Sequence, residues 1–206
     1  MTTIIHGIAR SRAFRNLWMA YELGIAFEHD QVGFGPEGCR SAAFLAINPN
    51  GHIPALSDDG VVIWESLAIN LYLARKAGGT LAPASVAEDG LMTMWALWSA
   101  TEVEPLAGQA LYNTTMYAPE KRDPALVASA LEGLKAPLAV LEAALQKGGG
   151  HLVGGRFTVA DLNGICVMFY LRTNLQALAD KPAIRAWYEA GLARPAAKRA
   201  MALREA

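Results

Sequence analysis

A hairpin that runs straight into a helix constrains this chain more than any other feature. It occupies residues 47–76, INPNGHIPALSDDGVVIWESLAINLYLARK. The stretch opens on Asn48-Pro49-Asn50-Gly51, a turn-rich run that fits neither a helix interior nor a central strand. Two short apolar segments, 53–56 and 61–64, flank Ser57-Asp58-Asp59-Gly60 and predict a β-hairpin with Asp59-Gly60 at positive φ. Pro54 lacks an N–H and so asks for an edge position or a cis bond. Directly after the second strand, Glu65-Ser66 opens a run with apolar Leu67, Ile69, Leu71, Tyr72 and Leu73, dense enough for a buried helix. The amides of a helix start attract anions, and Glu65 beside them suits an ammonium group, which together point to a zwitterionic ligand. The same pair also reads as a plain helix cap.

The residues before this stretch alternate in type. Residues 2–8 are a β-branched run ending at Gly7-Ile8-Ala9-Arg10, a strand and then a short loop. From Ser11 the period changes: Ala13, Phe14, Leu17, Trp18, Ala20 and Tyr21 follow helical spacing, Arg12 and Arg15 lie between them, and Gly24 stands where a helix-ending glycine belongs. Residues 25–32 alternate through Phe27, His29 and Gln31 as a second strand, 33–40 read as loop and 41–47 as a short helix. The order is βαβ, a short α, then ββα, with parallel pairing favoured in the βαβ unit and antiparallel pairing in the hairpin.

Past Lys76 the texture changes. Ala77-Gly78-Gly79-Thr80 and Leu81-Ala82-Pro83-Ala84 form a linker, and no further strand is expected. Residues 86–116 read as one long helix carrying Trp95, Leu97, Trp98 and Leu106 and bent at Pro105. Asp123-Pro124 supplies an N-cap and an N1 proline to a helix running to Gln146, which Pro137 should kink or restart. Thr158 and Asp161 are spaced as a capping box, with Phe157 and Leu162 as its hydrophobic staple, opening a sparsely charged helix suited to the middle of a bundle. Residues 182–201 give a last helix and a tail containing Trp187, Arg194 and Pro195. The predicted class is α/β plus all-α: an α/β domain at 1–77, a linker at 78–86 and an all-helical domain at 87–206.

Composition narrows the partners. With 53% hydrophobic and 18% charged residues and a formal net charge of −1, the chain lacks the basic face of a nucleic-acid binder. Cys39 and Cys166 are too few and too far apart for a disulfide framework, a CxxC pair or a zinc site, so no metal is expected. No basic-then-apolar leader stands at the start, and the longest apolar run, 165–171, is too short to cross a bilayer. The expectation is a cytoplasmic protein that binds neither nucleic acid nor membrane.

The strand–loop–Ser11 helix start, the run from Asn48-Pro49 through Ile53-Pro54-Ala55-Leu56, Glu65-Ser66 with Leu67-Ala68-Ile69, Phe157-Thr158-Val159-Ala160-Asp161, and the stretch from Trp187 to Arg194-Pro195-Ala196 follow one another over nearly the whole chain. In this they resemble the cytosolic glutathione S-transferases of the bacterial-type or theta-like, serine-using kind. The resemblance implies a thioredoxin-like N-terminal domain that holds glutathione and an all-helical C-terminal bundle that shapes a second-substrate pocket. It also implies a detoxifying homodimer that takes glutathione as co-substrate and no other cofactor. Residue by residue, it implies that Pro54 is cis and turns the Ile53 backbone toward the cysteinyl unit. Glu65 and Ser66 would take the γ-glutamyl end, His52 the glycyl carboxylate, and Ser11 would donate its hydroxyl to the sulfur. For the second pocket it suggests Ile8 and Arg10 from the loop after the first strand, and Tyr112 and Met116 from the long helix.

Elementary chemistry agrees with these roles. A free thiol has a pKa of about 8.5, and lowering it by about two units requires roughly 2.7 kcal/mol of preference for the thiolate. A donated hydroxyl and a helix N-terminus can share that work. Ser11 also reads as the cap of a helix beginning at Arg12, and the two roles are compatible. Arg10 reads either as a surface charge or as a group polarising an acidic co-substrate. Tyr112 and Met116 lie at i, i+4 spacing, a pattern equally typical of core, and Trp95 and Trp98 read as core or dimer contacts. Asp161 reads as a folding device.

Three departures bound the resemblance. No tyrosine stands near the end of the first strand, Arg10 occupies the position where a cysteine-using class carries its cysteine, and the Ser-Ser-Cys pattern of zeta-type isomerases is missing. The expected activity is attack by glutathione thiolate on a hydrophobic electrophile. The alternatives are a non-catalytic binding or interaction module, and a glutathione-dependent peroxidase or dehalogenase of the same fold. A thiol–disulfide oxidoreductase would need a cysteine where Arg10-Ser11-Arg12 stands.

Overall fold

The β-branched run at the start forms β1 (Thr3–His6), the first helix follows as α1 (Ala13–Leu23), and the chain returns as β2 (Glu28–Asp30). This is a computed structural model, and it describes residues 2–205. Next come α2 (Ala42–Leu45), β3 (Ala55–Asp58), β4 (Val61–Trp64) and α3 (Ser66–Ala77). The four strands form one mixed sheet in the order β2-β1-β3-β4, with β1 parallel to β2 and antiparallel to β3, and β3 antiparallel to β4. The register pairs Ile5 with Leu56, both fully buried.

The hairpin closes on Asp59 (φ 49°) and Gly60 (φ 86°), the two positive-φ positions expected of a two-residue turn matched to strand twist. The second strand is shorter than the 25–32 expected from alternation. Gly24, in the left-handed conformation, and Ile25 donate to the Tyr21 and Ala20 carbonyls, so the start of that run serves to end α1.

Residues 86–116 are helical throughout but not uniformly α. Between α4 (Val86–Trp98) and α5 (Glu104–Leu111) lies a π turn, Ser99–Val103, and a second, Tyr112–Met116, follows α5. Pro105 has no N–H to offer the carbonyl four residues back, and the helix widens immediately before it. The helix α6 (Pro124–Lys147) starts at Asp123, whose Oδ1 accepts the amides of Ala125 and Leu126 at 2.8 and 3.4 Å, and it continues through Pro137 as one element. By length and composition α6 is apolar enough to cross a membrane. Its buried residues Ala130, Leu134, Leu138, Leu141 and Leu145 recur at three- and four-residue spacing, the pattern of a helix with one face in a protein core.

Then come α7 (Val159–Met168), two 3-10 turns (Phe169–Thr173 and Leu175–Leu178) and α8 (Pro182–Leu192). Every residue of α7 is buried, and the capping box of Thr158 and Asp161 opens it. Glu142 of α6 accepts the amides of Ala183 and Ile184 at 3.0 and 2.9 Å, placing a carboxylate on the positive end of α8.

The expected tail after α8 is instead a helix, α9 (Pro195–Glu205), with proline at its first position. The chain divides into two compact units, Met1–Ala82 with Ala193–Ala206, and Pro83–Leu192. Thus α9 belongs to the unit that carries the sheet. It buries Ala197 and Ala200, Arg194 donates twice to Glu22 at 2.6 and 2.8 Å, and the Arg199 guanidinium lies 4.1 Å from the Tyr21 ring centre.

Candidate functional site

The start of α3 departs from ordinary helix capping. Glu65 precedes it with φ 74° and ψ 107°, and its side chain makes no cap hydrogen bond. A non-glycine residue held there costs about 1–3 kcal/mol and survives where the surroundings impose it. The effect is to leave the carboxylate of Glu65 exposed beside the first amides of α3 while Ser66 is buried.

Beneath them lies a buried polar set joining α1 to α3. Arg15, 2% exposed, donates from Nη1 to Ser66 Oγ at 3.2 Å. Asn16 Nδ2 donates to the Ser66 carbonyl at 2.8 Å and to Asn70 Oδ1 at 2.7 Å, and Asn70 Nδ2 donates to the Arg15 carbonyl at 3.3 Å. A fixed cation and a helix N-terminus at one point make a site for a carboxylate, and Glu65 beside them suits an ammonium. Sequence reading placed Arg15 only as a basic residue between apolar ones. The available signal was the position itself, a charge and an amide inside a run whose other members, from Ala13 to Ala20, are all buried.

The Ile53–Pro54 bond is cis, and the β3 ladder begins only at Ala55, so Ile53 stands just ahead of the paired strand. Buried Asn48 fixes this loop: its Nδ2 donates to the His52 carbonyl at 2.6 Å and its Oδ1 accepts from the Asn50 amide at 3.1 Å. Gly51 (φ 59°) leaves room for Arg40, whose Cδ would lie 2.9 Å from a Cβ there. Arg40 Nη2 reaches to 3.5 Å from His52 Nε2, so two basic side chains sit side by side on an exposed edge. Nothing in the 33–40 loop pattern singled out Arg40 beforehand.

Ser11 lies in the turn between β1 and α1, partly exposed. Its hydroxyl donates to the Ile8 carbonyl at 2.7 Å and accepts the Ala13 amide at 3.0 Å. The helix begins one residue later than expected, at Ala13 with Arg12 as N-cap, and Ser11 meets the first helical amide from outside the cap. Gly7, with φ 130°, brings the end of β1 against both neighbours, since a Cβ there would lie 3.0 Å from Ile53 Cβ and 3.1 Å from Ala13 Cβ. The serine turn and the Ile53–Pro54 loop are therefore packed edge to edge.

The remaining sequence candidates fall as follows. Ile8 is partly buried against the Cys39, Phe44, Ile53 and Ala55 cluster. Arg10 is exposed, and its Nε donates to the Arg204 carbonyl at 2.9 Å. Tyr112 and Met116, in the helical unit, are exposed and lie in the second π turn, with the Tyr112 ring 5.5 Å from that of Tyr117. Trp95 is buried, its ring 5.1 Å from Trp98.

One constellation imitates a nucleophilic triad. His6 lies 2.8 Å from Asp30 through Nδ1 and 2.9 Å from Ser57 through Nε2. His6 is buried and Ser57 sits in β3, whose two edges are taken by β1 and β4, so this is a polar tie across the sheet. Among the described residues no group of three or more His, Cys, Asp or Glu side chains is placed to hold a metal.

Comparison with known proteins adds an independent line. The family model for "Glutathione S-transferase, N-terminal domain" matches residues 2–75, and that for "Glutathione S-transferase, C-terminal domain" matches residues 103–195. The chain is 33% identical to glutathione S-transferase 3 of Zea mays over 192 residues, covering 88% of this chain and 84% of that one. Among solved structures it is similar to the theta class glutathione S-transferase from Xanthomonas axonopodis pv. citri with glutathione bound, at 31% identity, TM-score 0.81 and 96% coverage of both chains. It is also similar to glutathione S-transferase I from maize in complex with an atrazine glutathione conjugate, at 27% identity, TM-score 0.88 and 98% coverage of both.

Proposed function

Because the chain belongs to the glutathione S-transferase family and is a glutathione transferase that takes glutathione as co-substrate, we propose that its sheet-bearing unit holds the tripeptide end to end. The γ-glutamyl carboxylate meets Ser66 and the first amides of α3 over buried Arg15, and its ammonium meets Glu65. The cysteinyl backbone pairs with Ile53 ahead of Pro54 as an added strand. The glycyl carboxylate lies against His52 and Arg40. The observation that carries this reading is the Ser66 site, where a buried guanidinium, a hydroxyl and a helix start converge beside an exposed carboxylate.

Ser11 supplies the hydroxyl that favours the thiolate. Its oxygen is already fixed by the Ala13 amide, so turning the O–H from the Ile8 carbonyl to sulfur moves a proton and leaves the oxygen in place. The exchange gives up a hydrogen bond worth about 0.5–1.5 kcal/mol net and gains one to an anion, worth about 1.5–3 kcal/mol. The thiolate then attacks a hydrophobic electrophile, forming a C–S bond while the leaving group departs or the acceptor takes a proton. Tyr112 and Met116 offer exposed aromatic and thioether surface in the helical unit for such an electrophile. The test is a titration of enzyme-bound glutathione by thiolate absorbance. Ser11→Ala should raise the bound thiol pKa with little loss of glutathione affinity, and an unchanged pKa would remove Ser11 from the chemistry.

One observation favours a second reading, a binding module without turnover: the Ser11 hydroxyl is satisfied within its own turn. Turnover of a chlorinated nitroaromatic with glutathione separates the two.

The assembly proposed is a homodimer. The edge strand β4 exposes Val61, Val62 and Trp64, and in the other unit α4 exposes Leu91, Met94 and Leu97, apolar surface that a second copy would cover. Sedimentation at micromolar concentration tests this, with Val62→Lys and Leu97→Lys expected to give monomers. A cytoplasmic location is proposed on the free state of Cys39 and Cys166.

A further inference from the structure

The helix α9 buries little but alanine, Ala197 and Ala200, and arginines make its specific contacts to α1. At its last turn Arg204 shares their face (i, i+3, i+7) and reaches the serine turn. Its Nη1 donates to the Ala9 carbonyl at 2.8 Å and to the Ser11 carbonyl at 3.3 Å, while its guanidinium carbon lies 5.3 Å from the Phe14 ring centre. Arg10 returns the contact, donating from Nε to the Arg204 carbonyl at 2.9 Å. That carbonyl lies in the last described turn of α9. Two arginines thus clasp the segment that carries Ser11, one from the loop and one from the helix.

We infer that Arg204 is a positioning residue for Ser11: it holds the Ala9 and Ser11 carbonyls so that the serine oxygen stays where its O–H can donate a hydrogen bond to a glutathione thiolate. The inference rests on the reading of Ser11 as thiolate donor. Inside the turn the Ile8 carbonyl takes the Ser11 amide at 3.0 Å and the Ser11 hydroxyl at 2.7 Å; turning that hydroxyl to sulfur gives up one of these ties, while the hold from Arg204 stays. Arginine suits the task. Its Nη1 reaches both carbonyls while the guanidinium carbon lies 5.3 Å from the Phe14 ring centre, whereas a lysine ammonium is a point charge on a shorter, flexible stem. The charge matters as well as the bonds, since a cation at the turn favours an anion formed beside it. The other charged side chains on this segment are Arg10, Arg12 and Arg15, of which Arg15 is turned to Ser66. At the end of β1, His6 faces Asp30 and Ser57.

The test compares the bound-thiol pKa, the pH dependence of kcat/KM and the thermal midpoint in the full-length wild type, Arg204→Met, Arg204→Lys, Arg199→Met and Ser11→Ala. Arg204→Met should raise the bound-thiol pKa by about one unit, which lowers kcat/KM about fivefold near pH 6.5 and closes the gap above about pH 9. Its KM for glutathione should stay within about twofold, because the γ-glutamyl grip is separate. Arg204→Lys should recover part of the shift. Arg199→Met loosens the same helix at the Tyr21 ring without touching the turn and should leave the pKa in place. An equal shift in Arg199→Met would overturn the inference in favour of general loosening of α9. No shift in Arg204→Met alongside a shift in Ser11→Ala would overturn it while sparing the serine. No shift in either would sink the serine reading and take this one with it. Should Arg204→Met not fold, Arg204→Lys decides alone: lysine ends one bond short of the Nη1 that takes both carbonyls, so a wild-type pKa in that variant contradicts the clasp.

Discussion

The guanidinium of Arg15 and the hydroxyl of Ser66, 51 positions apart in sequence, meet at 3.2 Å with both side chains buried. A buried guanidinium beside a helix start favours an anion brought to it, and the carboxylate of a γ-glutamyl group is such an anion. On the proposed placement of glutathione, the pair links the stability of the α1–α3 packing to ligand binding. Arg15→Met should weaken glutathione binding by about tenfold or more, with a smaller loss in the thermal midpoint of the ligand-free protein. Calorimetric titration with glutathione measures the first, and a large midpoint loss with unchanged affinity would make Arg15 purely structural.

Gly7→Ala tests the packing of the serine turn against the Ile53–Pro54 loop. The new Cβ would lie 3.0 Å from Ile53 Cβ and 3.1 Å from Ala13 Cβ, at a φ of 130° that side chains rarely adopt. The strained backbone costs about 1–3 kcal/mol. The crowding of the two neighbours adds about 1–3 kcal/mol. The urea midpoint should fall accordingly, and kcat/KM should fall further than stability accounts for, because Ile53 and the start of α1 are pushed apart. A variant with wild-type activity would show that the two segments are not coupled.

What could be read beforehand was local. Asp59-Gly60 set the hairpin, Gly24 the end of α1, Asp123-Pro124 the start of α6, and Thr158 with Asp161 the start of α7, each by chemistry contained within a few residues. The cis bond at Pro54 followed from a motif whose parts lie within one stretch. Other features had distant partners. Arg15 and Arg204 act on groups 51 and 193–195 positions away, and two of those groups are backbone carbonyls, which leave no mark in the sequence. The helix α9 escaped notice because its buried face is Ala197 and Ala200, too small to make an apolar stripe. Pro105 marked a bend, but whether the helix would kink or widen into a π turn depended on packing around it.

Acid should expose the ion pair that opens α4. Glu88 takes Arg156 in two bonds at 3.0 and 2.7 Å and the Ala84 amide at 2.8 Å, and these donors, Arg156 foremost, hold its carboxyl down to about 2. The folded value lies below the ordinary 4.5, so the contribution is fully present above 4.5 and is lost as pH falls toward about 2. Glu88→Gln should flatten the acid side of the stability curve in that window and lower stability modestly at neutral pH, since the partly exposed pair is screened by solvent. Urea titrations at stepped pH would show it, and an identical acid limb in both proteins would count against the pair.

Asp161 carries the opposite sign. Its Oδ2 accepts from the Thr158 amide and hydroxyl at 2.8 and 3.1 Å, and its Oδ1 from the Leu152 amide at 3.0 Å and the Trp187 indole at 2.8 Å, with His151 Nδ1 at 3.8 Å. Burial pushes the carboxyl up more than these donors and His151 pull it down, so its folded pKa stands above the ordinary value. A raised carboxyl pKa means stability that is full below the unfolded pKa, about 3.9, and declines as pH rises through the folded value. The carboxyl collects four donors, which have no substitute acceptor once it is gone. Asp161→Ala strands them at about 1–3 kcal/mol each, and its loss should exceed about 4 kcal/mol. Asp161→Asn keeps one carbonyl but turns an NH₂ toward a buried amide, so it should lose less than alanine and abolish the decline above about pH 3.9. Trp187 fluorescence follows both, because its indole bond is among those broken. An alanine variant with a near wild-type urea midpoint would show that water or a shifted backbone group takes the donors, and that the box is not what secures α7.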